Sequence, residues 1–470
     1  MKNFENLHSD IQKELFDKLS EEEKAKRVVE FGEEGSIQQY GYEMALKSAE
    51  ENEQEMSPEE LEQFKKLKLG AKNVIKSFSL KRSADNKKGE NLLIVTDSGA
   101  DNLMVKALHE AGKEIAGDDC RVMVAPKTEH AAQEFGESIG GKMKTADAVL
   151  LLTSLSRSHS KETVELIHPH HSLEVIAGLL NSPVLEHAFL ELREKYSPEE
   201  LVKLLSERKF NETSMFPSRS RIISITNTDR EILTTGGALE DPIEMAERID
   251  RFAEVMKGVE KVKIKSEDGS ELELDIKVPT LMKDNGIMEK PGTAGNFPNG
   301  EYAGSVDLTD TNGTVIIDGA IGMIGRVDQP VKITIKNGVA IKIEGGESAQ
   351  KLQEILDKAN KEHREKNPKD ESTNAFKLAE FSFGMNSKAF RYTEDGKRIS
   401  PPTSLEGEKG LGTIHIALGK NTLFSVPKDD PDYNNIPIHI DCVSMNTSIK
   451  GIKEDGEEVE LVRNGEVICL

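Results

Sequence analysis

A histidine and an aspartate lie two positions apart in the apolar stretch IPIHIDCV, as His439 and Asp441. Because side chains alternate between the two faces of a β-strand, the apolar residues of this stretch would point to one face and the two polar side chains to the other. The stretch GTIHIALG places His415 between two isoleucines in the same way. Two predicted strands therefore each offer an imidazole, and one of them adds a carboxylate.

Two histidines and one aspartate form a ligand set that suits zinc, iron, cobalt or manganese, because these ions bind neutral imidazole and carboxylate. Three protein ligands would leave coordination positions open. The same pattern also occurs where a polar strand edge faces solvent or a partner. The strand pattern by itself therefore leaves a metal site and a polar edge as alternatives.

Three glutamates lie in segments that could contribute to the same site. The turn segment GNFPNGEYAG presents Glu301 at the start of an extended stretch. The apolar segment LAEFSFGMN contains Glu380, whose buried carboxylate would be costly unless it is paired or bound to a metal. Glu408 and Lys409 precede the first histidine in EGEKGLGTIHIALGKN, where Glu408 is either part of the site or a salt-bridge partner of the lysine.

The composition restricts the classes of function. The formal net charge is −22, with 84 acidic and 62 basic residues, so the surface would repel nucleic acids. No apolar run approaches the roughly 18 residues of a membrane span, and the first residues do not resemble a secretion signal. The widely spaced Cys120, Cys442 and Cys469 indicate reduced thiols. We expect a cytoplasmic protein with no nucleic-acid or membrane partner.

The pattern along the chain predicts an α/β plus α+β fold in three parts. Residues 1–88 form an acidic helical extension, interpreted as a solvated cover or a partner-binding arm. Residues 89–256 alternate apolar strands with helices, which predicts an α/β domain with a parallel sheet and a helical insertion at about 162–216. Residues 257–470 are rich in hairpin signals and predict a mixed, mainly antiparallel, β-rich metal domain.

Two further motifs have simpler interpretations. The turn TDSGADN might bind an anion but lacks the glycine pattern of a nucleotide-binding loop. The segment ELIHPHH contains three histidines, His168, His170 and His171. Pro169 disrupts a regular presentation of these side chains, so exposed loop histidines are favoured over a metal cluster.

Taken in order, the segments quoted above resemble the aminopeptidase T family of metallo-aminopeptidases and its wider superfamily, which also contains the iron-dependent dioxygenase that opens dihydroxypyridine rings. The resemblance extends from about Asn91 to Val467 and includes LIVTDSGAD and ITNTDREILTTGGALEDPIEMAERIDRFAEVM. It implies an α/β domain beside a β-rich metal domain, arranged as a homodimer.

The resemblance also implies which residues form the site. The family's metal ligands would correspond to Glu301, Glu380, His415, His439 and Asp441. A tyrosine expected seven residues after the first histidine is replaced by Thr422. Because that phenol could orient the substrate or stabilise an oxyanion, its replacement argues against peptidase activity, unless Tyr433 or Tyr302 takes its place.

Three functions are compatible with these residues. The favoured one is an aminopeptidase-like hydrolase in which two zinc, cobalt or manganese ions activate water for attack on a peptide, with Glu301 or Glu408 transferring the proton. The alternative is a ring-cleaving dioxygenase that binds one Fe(II) through His415, His439 and Asp441. A non-catalytic, metal-stabilised interaction protein is the third interpretation.

Overall fold

The computed structural model describes thirteen parts of the chain. They are residues 16–31, 39, 57–80, 89–97, 99–125, 134–154, 157, 160, 163, 220–226, 229–370, 372–424 and 426–470. Apart from residue 163, the predicted helical insertion at 162–216, with its three histidines, lies outside the described residues. The candidate site residues named above are all described.

The longest helix in the first half of the described chain has a buried apolar face. Helix α2 begins directly after Ser57, a residue type that favours the helix N-cap, and buries Phe64 and Ile75. The helices are α1 (Glu21–Phe31), α2 (Pro58–Ser77), α3 (Asn102–Ala116), α4 (Glu137–Thr145), α5 (Glu231–Thr234), α6 (Pro242–Val255), α7 (Glu347–Lys366) and α8 (Ser404–Gly407).

The strands are short in the first half and form long hairpins in the second. In chain order they are β1 (Leu92–Asp97), β2 (Cys120–Ala125), β3 (Ala148–Thr153), β4 (Arg221–Thr226), β5 (Val259–Lys265), β6 (Glu271–Ile276), β7 (Met282–Asp284), β8 (Ala294–Asn296), β9 (Glu301–Gly304), β10 (Val306–Ile317) and β11 (Ala320–Ile321). They continue with β12 (Gly325–Arg326), β13 (Val331–Lys336), β14 (Val339–Glu344), β15 (Leu378–Gly384), β16 (Arg391–Tyr392), β17 (Arg398–Ile399), β18 (Ile414–Gly419), β19 (His439–Ser444), β20 (Ser448–Lys453), β21 (Glu458–Arg463) and β22 (Glu466–Val467).

The described residues form two compact units. The first comprises the described residues within Met1–Arg230 together with Met288–Phe297. It contains a parallel sheet of order β2-β1-β3-β4-β8. All six residues of β1 and of β3 are buried, as expected for strands covered on both faces. The predicted α/β domain with a parallel sheet is therefore confirmed.

The turn after β1 uses its own carboxylate to satisfy the nearby backbone. Asp97 accepts hydrogen bonds from the Gly99 amide at 2.9 Å and from the Ser154 amide at 3.0 Å. Asp101 caps helix α3. These amides therefore bind an internal carboxylate, in line with the absence of a nucleotide-binding glycine pattern from this turn.

The second unit comprises Glu231–Ile287 and Pro298–Leu470. It contains an eight-stranded sheet of order β14-β13-β10-β6-β5-β20-β21-β22 and a seven-stranded sheet of order β12-β11-β19-β18-β15-β9-β7. Both sheets are antiparallel, and residues such as Val262 and Phe381 join them in one hydrophobic core. The predicted β-rich region is confirmed, with hairpins at the Asp-Gly and Asn-Gly turns.

None of the helices in the described part of the chain is long and apolar enough to cross a membrane. Cys120, Cys442 and Cys469 are free thiols, and the first two are buried. The domain limits inferred from the sequence stay a prediction.

Candidate metal centre

The residues that could do chemistry lie on one face of the seven-stranded sheet. Strand β19 places the side chains of His439 and Asp441 on this face, whereas Ile440 and Cys442 are buried in the core on the opposite face. Strand β18 repeats the alternation around His415, which is flanked by two buried isoleucines. The alternation predicted from the sequence is thus present in both strands.

The strand register brings these side chains next to one another. Ser382 of β15 pairs with His415 of β18, and Ala417 of β18 pairs with both Glu380 of β15 and Asp441 of β19. Paired residues share a face of the sheet, so the two carboxylates lie on either side of the small Ala417 side chain. The methyl group leaves space between them that a longer side chain would fill.

Two imidazoles and two carboxylates surround this space. His415 Nε2 lies 3.1 Å from Glu380 Oε1 and 4.0 Å from Asp441 Oδ1. His439 Nε2 lies 3.0 Å from Glu380 Oε2 and 3.1 Å from Asp441 Oδ1. Ligand atoms that each bind a metal at about 2.0–2.2 Å are themselves about 3.0–3.5 Å apart. The contacts of His439 with Glu380 and Asp441 fall in this range and suit one cation, whereas His415 meets Glu380 at 3.1 Å and lies farther from Asp441, at 4.0 Å.

The other nitrogen of His439 fixes the form of its ring. Its Nδ1 lies 2.7 Å from the Lys420 carbonyl oxygen, which can only accept a hydrogen bond, so Nδ1 carries a proton. In the neutral ring the lone pair of Nε2 then points at the carboxylates of Glu380 and Asp441. That arrangement is repulsive unless Nε2 carries a proton or binds a cation, and the same backbone bond is how metal-binding histidines are oriented.

A second group of charged side chains adjoins the first. Lys409 Nζ lies 2.6 Å from Glu301 Oε1, 3.0 Å from Glu408 Oε1 and 3.8 Å from Asp284 Oδ2. Lys409 is only 4% exposed. Ser382 donates a hydrogen bond to Glu301 Oε2 at 3.3 Å, which links this group to strand β15.

The turn after α8 carries Glu408 and Lys409 against the end of β15. The Asn386 amide donates to the Lys409 carbonyl at 2.7 Å. A Cβ atom at Gly384 would lie only 2.2 Å from the Gly410 carbonyl oxygen and 2.8 Å from the Glu408 carbonyl oxygen. The close approach of these two backbone segments therefore requires glycine at position 384.

We expect Gly384→Ala to lower the free energy of unfolding by at least about 1–3 kcal/mol, because the added methyl group overlaps backbone atoms. Urea denaturation of the two proteins measures the difference. Gly141→Ala is the matched control, since a Cβ there meets nothing within 4 Å and alanine favours helix α4. Equal stability of Gly384→Ala and the wild-type protein would contradict the close approach.

Burial and charge act in opposite directions on the first group. Burial raises the pKa of Glu380, but the charge of His415 and the hydrogen bonds from both histidines outweigh it and bring the pKa to about 2. Burial lowers the pKa of His415, yet Glu380 raises it to about 9. The pKa of His439 is raised well above its usual value because Asp441 and Glu380 outweigh burial, and the pKa of Asp441 is lowered in return.

The second group has too few positive charges for its carboxylates. Burial raises the pKa of Glu408 to about 8, although Lys409 opposes the shift. Burial likewise raises the pKa of Asp284 to about 6. Burial lowers the pKa of Lys409, but Glu301 and Glu408 outweigh it and hold the ammonium in its charged form. Carboxyl groups with raised pKa values indicate that the protein alone does not fully compensate their charge.

Three overlapping groups of donors among the described residues have ligand atoms within 4.8 Å of one another. They are Glu301, Glu380 and His415; Glu380, His439 and Asp441; and Glu408, His415 and Asp441. Glu408 Oε2 is buried and has no hydrogen-bond partner. A buried acceptor without a partner, beside imidazoles whose nitrogens face carboxylates, fits a site that binds a divalent cation.

Binding of a divalent ion should release protons at pH 7, because the ion must replace the proton on an imidazole whose pKa is about 9. The apparent association constant should then rise about tenfold per pH unit for each proton released as the pH increases towards 9. Calorimetric titration with Mn(II) in buffers of different ionisation enthalpy measures the number of protons. Heats that do not depend on the buffer would contradict this prediction.

The structure brings the sequence-predicted residues to one place. Glu301, Glu380, Glu408, His415, His439 and Asp441 all belong to the donor groups described above. Asp284 was missed, because the segment MKDNG indicates only a turn. The buried position of Lys409 between carboxylates was also missed, since its neighbours come from distant parts of the chain.

The two tyrosines considered as replacements for the phenol missing at Thr422 both pack in hydrophobic clusters. The ring of Tyr302 packs edge-on against Phe252 in the core, with ring centroids 5.8 Å apart. Tyr433 packs against a small cluster that includes Phe424. Thr422 itself begins a short 3₁₀ turn.

Comparisons with known proteins identify one family. The family model described as NicX: 2,5-dihydroxypyridine 5,6-dioxygenase matches residues 211–468, more than half of the chain. The structure of 2,5-dihydroxypyridine dioxygenase from Pseudomonas putida KT2440 is similar, with a TM-score of 0.52 and 15% identity, covering 86% of this chain and 96% of that one. AmpT from Thermus thermophilus gives a TM-score of 0.49 and 13% identity, covering 86% and 99%. No curated protein matches the sequence.

Proposed function

Because this chain belongs to the NicX: 2,5-dihydroxypyridine 5,6-dioxygenase family, we propose that it is a non-haem iron enzyme that uses molecular oxygen to open a dihydroxylated aromatic ring such as a dihydroxypyridine. One observation carries the proposal: the Nε2 atoms of His415 and His439 lie 4.0 and 3.1 Å from Oδ1 of Asp441 on one sheet face. Two histidines and one carboxylate with open positions are typical of ferrous oxygenases. The family match supports the dioxygenase interpretation over the hydrolase interpretation.

Three side chains would bind the iron ion, and a fourth would lie beside it. His415, His439 and Asp441 would hold Fe(II), and Glu380, whose carboxylate lies 3.1 and 3.0 Å from the two Nε2 atoms, would place a negative charge beside the ion. When bound, ferrous iron supplies open coordination positions and a redox couple through which oxygen can react with an organic ring.

Glu408 is placed to handle a proton. Its Oε2 atom has no partner, and its pKa of about 8 lies close to the working pH of a general base. We propose that it accepts the proton of a ring hydroxyl, which makes the ring more electron-rich and more reactive towards oxygen. Lys409, 3.0 Å from Glu408 Oε1, would hold the carboxylate in position for this transfer.

An aminopeptidase-like hydrolase is the second candidate. Its support is the presence of Glu301, Glu380 and Glu408 around the same two histidines, since carboxylates that bridge two ions are typical of metal-dependent hydrolases. Against it, Thr422 supplies no phenol at the position where that family has one.

Oxygen uptake tests the proposal. Protein purified and reconstituted with Fe(II) without oxygen should consume about one O₂ per 2,5-dihydroxypyridine, with loss of the ring absorbance. The parallel assay uses zinc-, cobalt- or manganese-loaded protein and a panel of leucine dipeptides. Leucine release without oxygen uptake would favour the hydrolase, and activity in neither assay would remove both enzymatic functions for these substrates.

A further inference from the structure

We propose that the ammonium of Lys409 takes the position that a second metal ion would take, so that this chain binds a single divalent ion. The inference rests on the proposed use of the site as a metal centre. It adds a residue that keeps a second ion out, a role that the donor set does not specify.

Lys409 uses the oxygens that a second ion would need. Its Nζ atom lies 2.6 Å from Glu301 Oε1, 3.0 Å from Glu408 Oε1 and 3.8 Å from Asp284 Oδ2. Three carboxylates from different parts of the chain converging on one point are the usual environment of a carboxylate-bound cation. Here the cation is the ammonium, and its charge also repels any divalent ion that approaches the same oxygens.

The lysine cannot move aside easily. Its side chain is 5% exposed, and its backbone is held at both ends of the residue. The Lys409 amide donates to the Glu406 carbonyl at 3.1 Å, and the Lys409 carbonyl accepts from the Asn386 amide at 2.7 Å. Displacing the ammonium would therefore require the buried four-carbon stem to change conformation inside the site and the charge to leave its carboxylate partners.

Lys409 forms ion pairs with members of two of the three donor groups. The group with Glu301 and the group with Glu408 each contain a carboxylate paired with this lysine. Among the donor groups of the described residues, the one formed by Glu380, His439 and Asp441 contains no ion pair with Lys409. Two members of this group, His439 and Asp441, belong to the proposed iron-binding set, so this end of the site remains available to a metal ion.

The number of bound ions tests the inference. The full-length protein, Lys409→Met and Lys409→Arg are dialysed to equilibrium against micromolar Mn(II), and manganese per chain is measured by elemental analysis. Methionine keeps the apolar stem but removes the charge, whereas arginine keeps the charge and is the matched control. We expect one ion in the wild-type protein, one in Lys409→Arg and two in Lys409→Met.

Lys409→Met leaves three buried carboxylates without their cation, so the thermal unfolding of each variant is followed with and without Mn(II). We expect Mn(II) to raise the unfolding temperature of Lys409→Met more than that of the wild-type protein, because a second ion replaces the lost charge. Two ions in the wild-type protein would overturn the inference. One ion in Lys409→Met, or a variant that Mn(II) does not stabilise, would overturn it equally.

The two proposals can fail separately. One manganese ion in the wild-type protein with no oxygen uptake would remove the proposed ring-opening reaction and leave the role of Lys409 intact. Two manganese ions in the wild-type protein together with oxygen uptake would contradict the role of Lys409 and leave the proposed ring-opening reaction intact.

Discussion

His439→Ala should bind iron about 100-fold more weakly than the wild-type protein and should lose oxygen uptake at micromolar iron. The apparent binding energy of about 10–16 kcal/mol for a four-ligand structural zinc site corresponds to roughly 3 kcal/mol per ligand, and 1.4 kcal/mol is a factor of ten. His439 meets both Glu380 and Asp441 at about hydrogen-bond distance, so its loss also releases both carboxylates. Competition with a colorimetric chelator measures the affinity.

His363→Ala is the matched control for this variant. His363 lies on helix α7, and its Nε2 atom is 2.9 Å from Asp370 Oδ2 in the segment after the helix. It is therefore also a partly buried histidine beside a carboxylate. This control should keep full iron affinity and full oxygen uptake. Wild-type affinity in His439→Ala would contradict the assignment of this histidine as a ligand.

Glu380→Gln should weaken iron binding by about 10- to 100-fold, as expected for a carboxylate that adjoins metal ligands. The carboxylate lies 3.1 Å from His415 Nε2 and 3.0 Å from His439 Nε2, so its negative charge lies beside both proposed ligand atoms. Glutamine keeps the size of the side chain but removes the charge that favours a cation. Iron affinity and the rate of oxygen uptake at saturating iron are measured together, which separates weaker binding from slower chemistry.

Glu240→Gln controls for the effect of removing any buried glutamate charge. Glu240 is 5% exposed and pairs with Arg248 at 3.0 Å, a contact that contains no donor of the site. Its replacement should lower stability without changing iron affinity. If Glu380→Gln changes stability but leaves iron affinity unchanged, Glu380 has a structural role only.

Much of the fold follows from local patterns. Period-two alternation around the Asp-Gly and Asn-Gly turns predicted the hairpins of the eight-stranded sheet, and the Asn-Gly pair has positive φ at Asn337 and Gly338, as such a turn requires. The apolar strands after Asn91 predicted the parallel sheet. The addition of β8 to that sheet was not predictable, because this three-residue strand returns from a distant part of the chain.

The candidate metal ligands could be predicted from the sequence, but the other charged residues that surround them could not. His439 and Asp441 interrupt an apolar strand, and Glu380 does the same in β15, so each produces a local signal. Asp284 and Lys409 produce none, since their importance depends on the register of β7 with β9 and on the turn after α8. Long-range register decides which charges meet, and no short segment contains that information.

The reaction was the least predictable feature. Two histidines with carboxylates can hold zinc for hydrolysis or iron for oxygen chemistry, because the same nitrogen and oxygen donors bind both ions. The acidic residues favoured the hydrolase in the sequence, whereas the family match supports the dioxygenase. The expected homodimer and cytoplasmic location stay predictions.

Anomalous diffraction at the iron absorption edge, from crystals loaded with Fe(II) without oxygen, is the most direct measurement of the central claim. We expect one peak in each chain, about 2.0–2.3 Å from His415 Nε2, His439 Nε2 and Asp441 Oδ1. A peak elsewhere, or no peak at full iron loading, would contradict the claim that these three side chains form a metal centre.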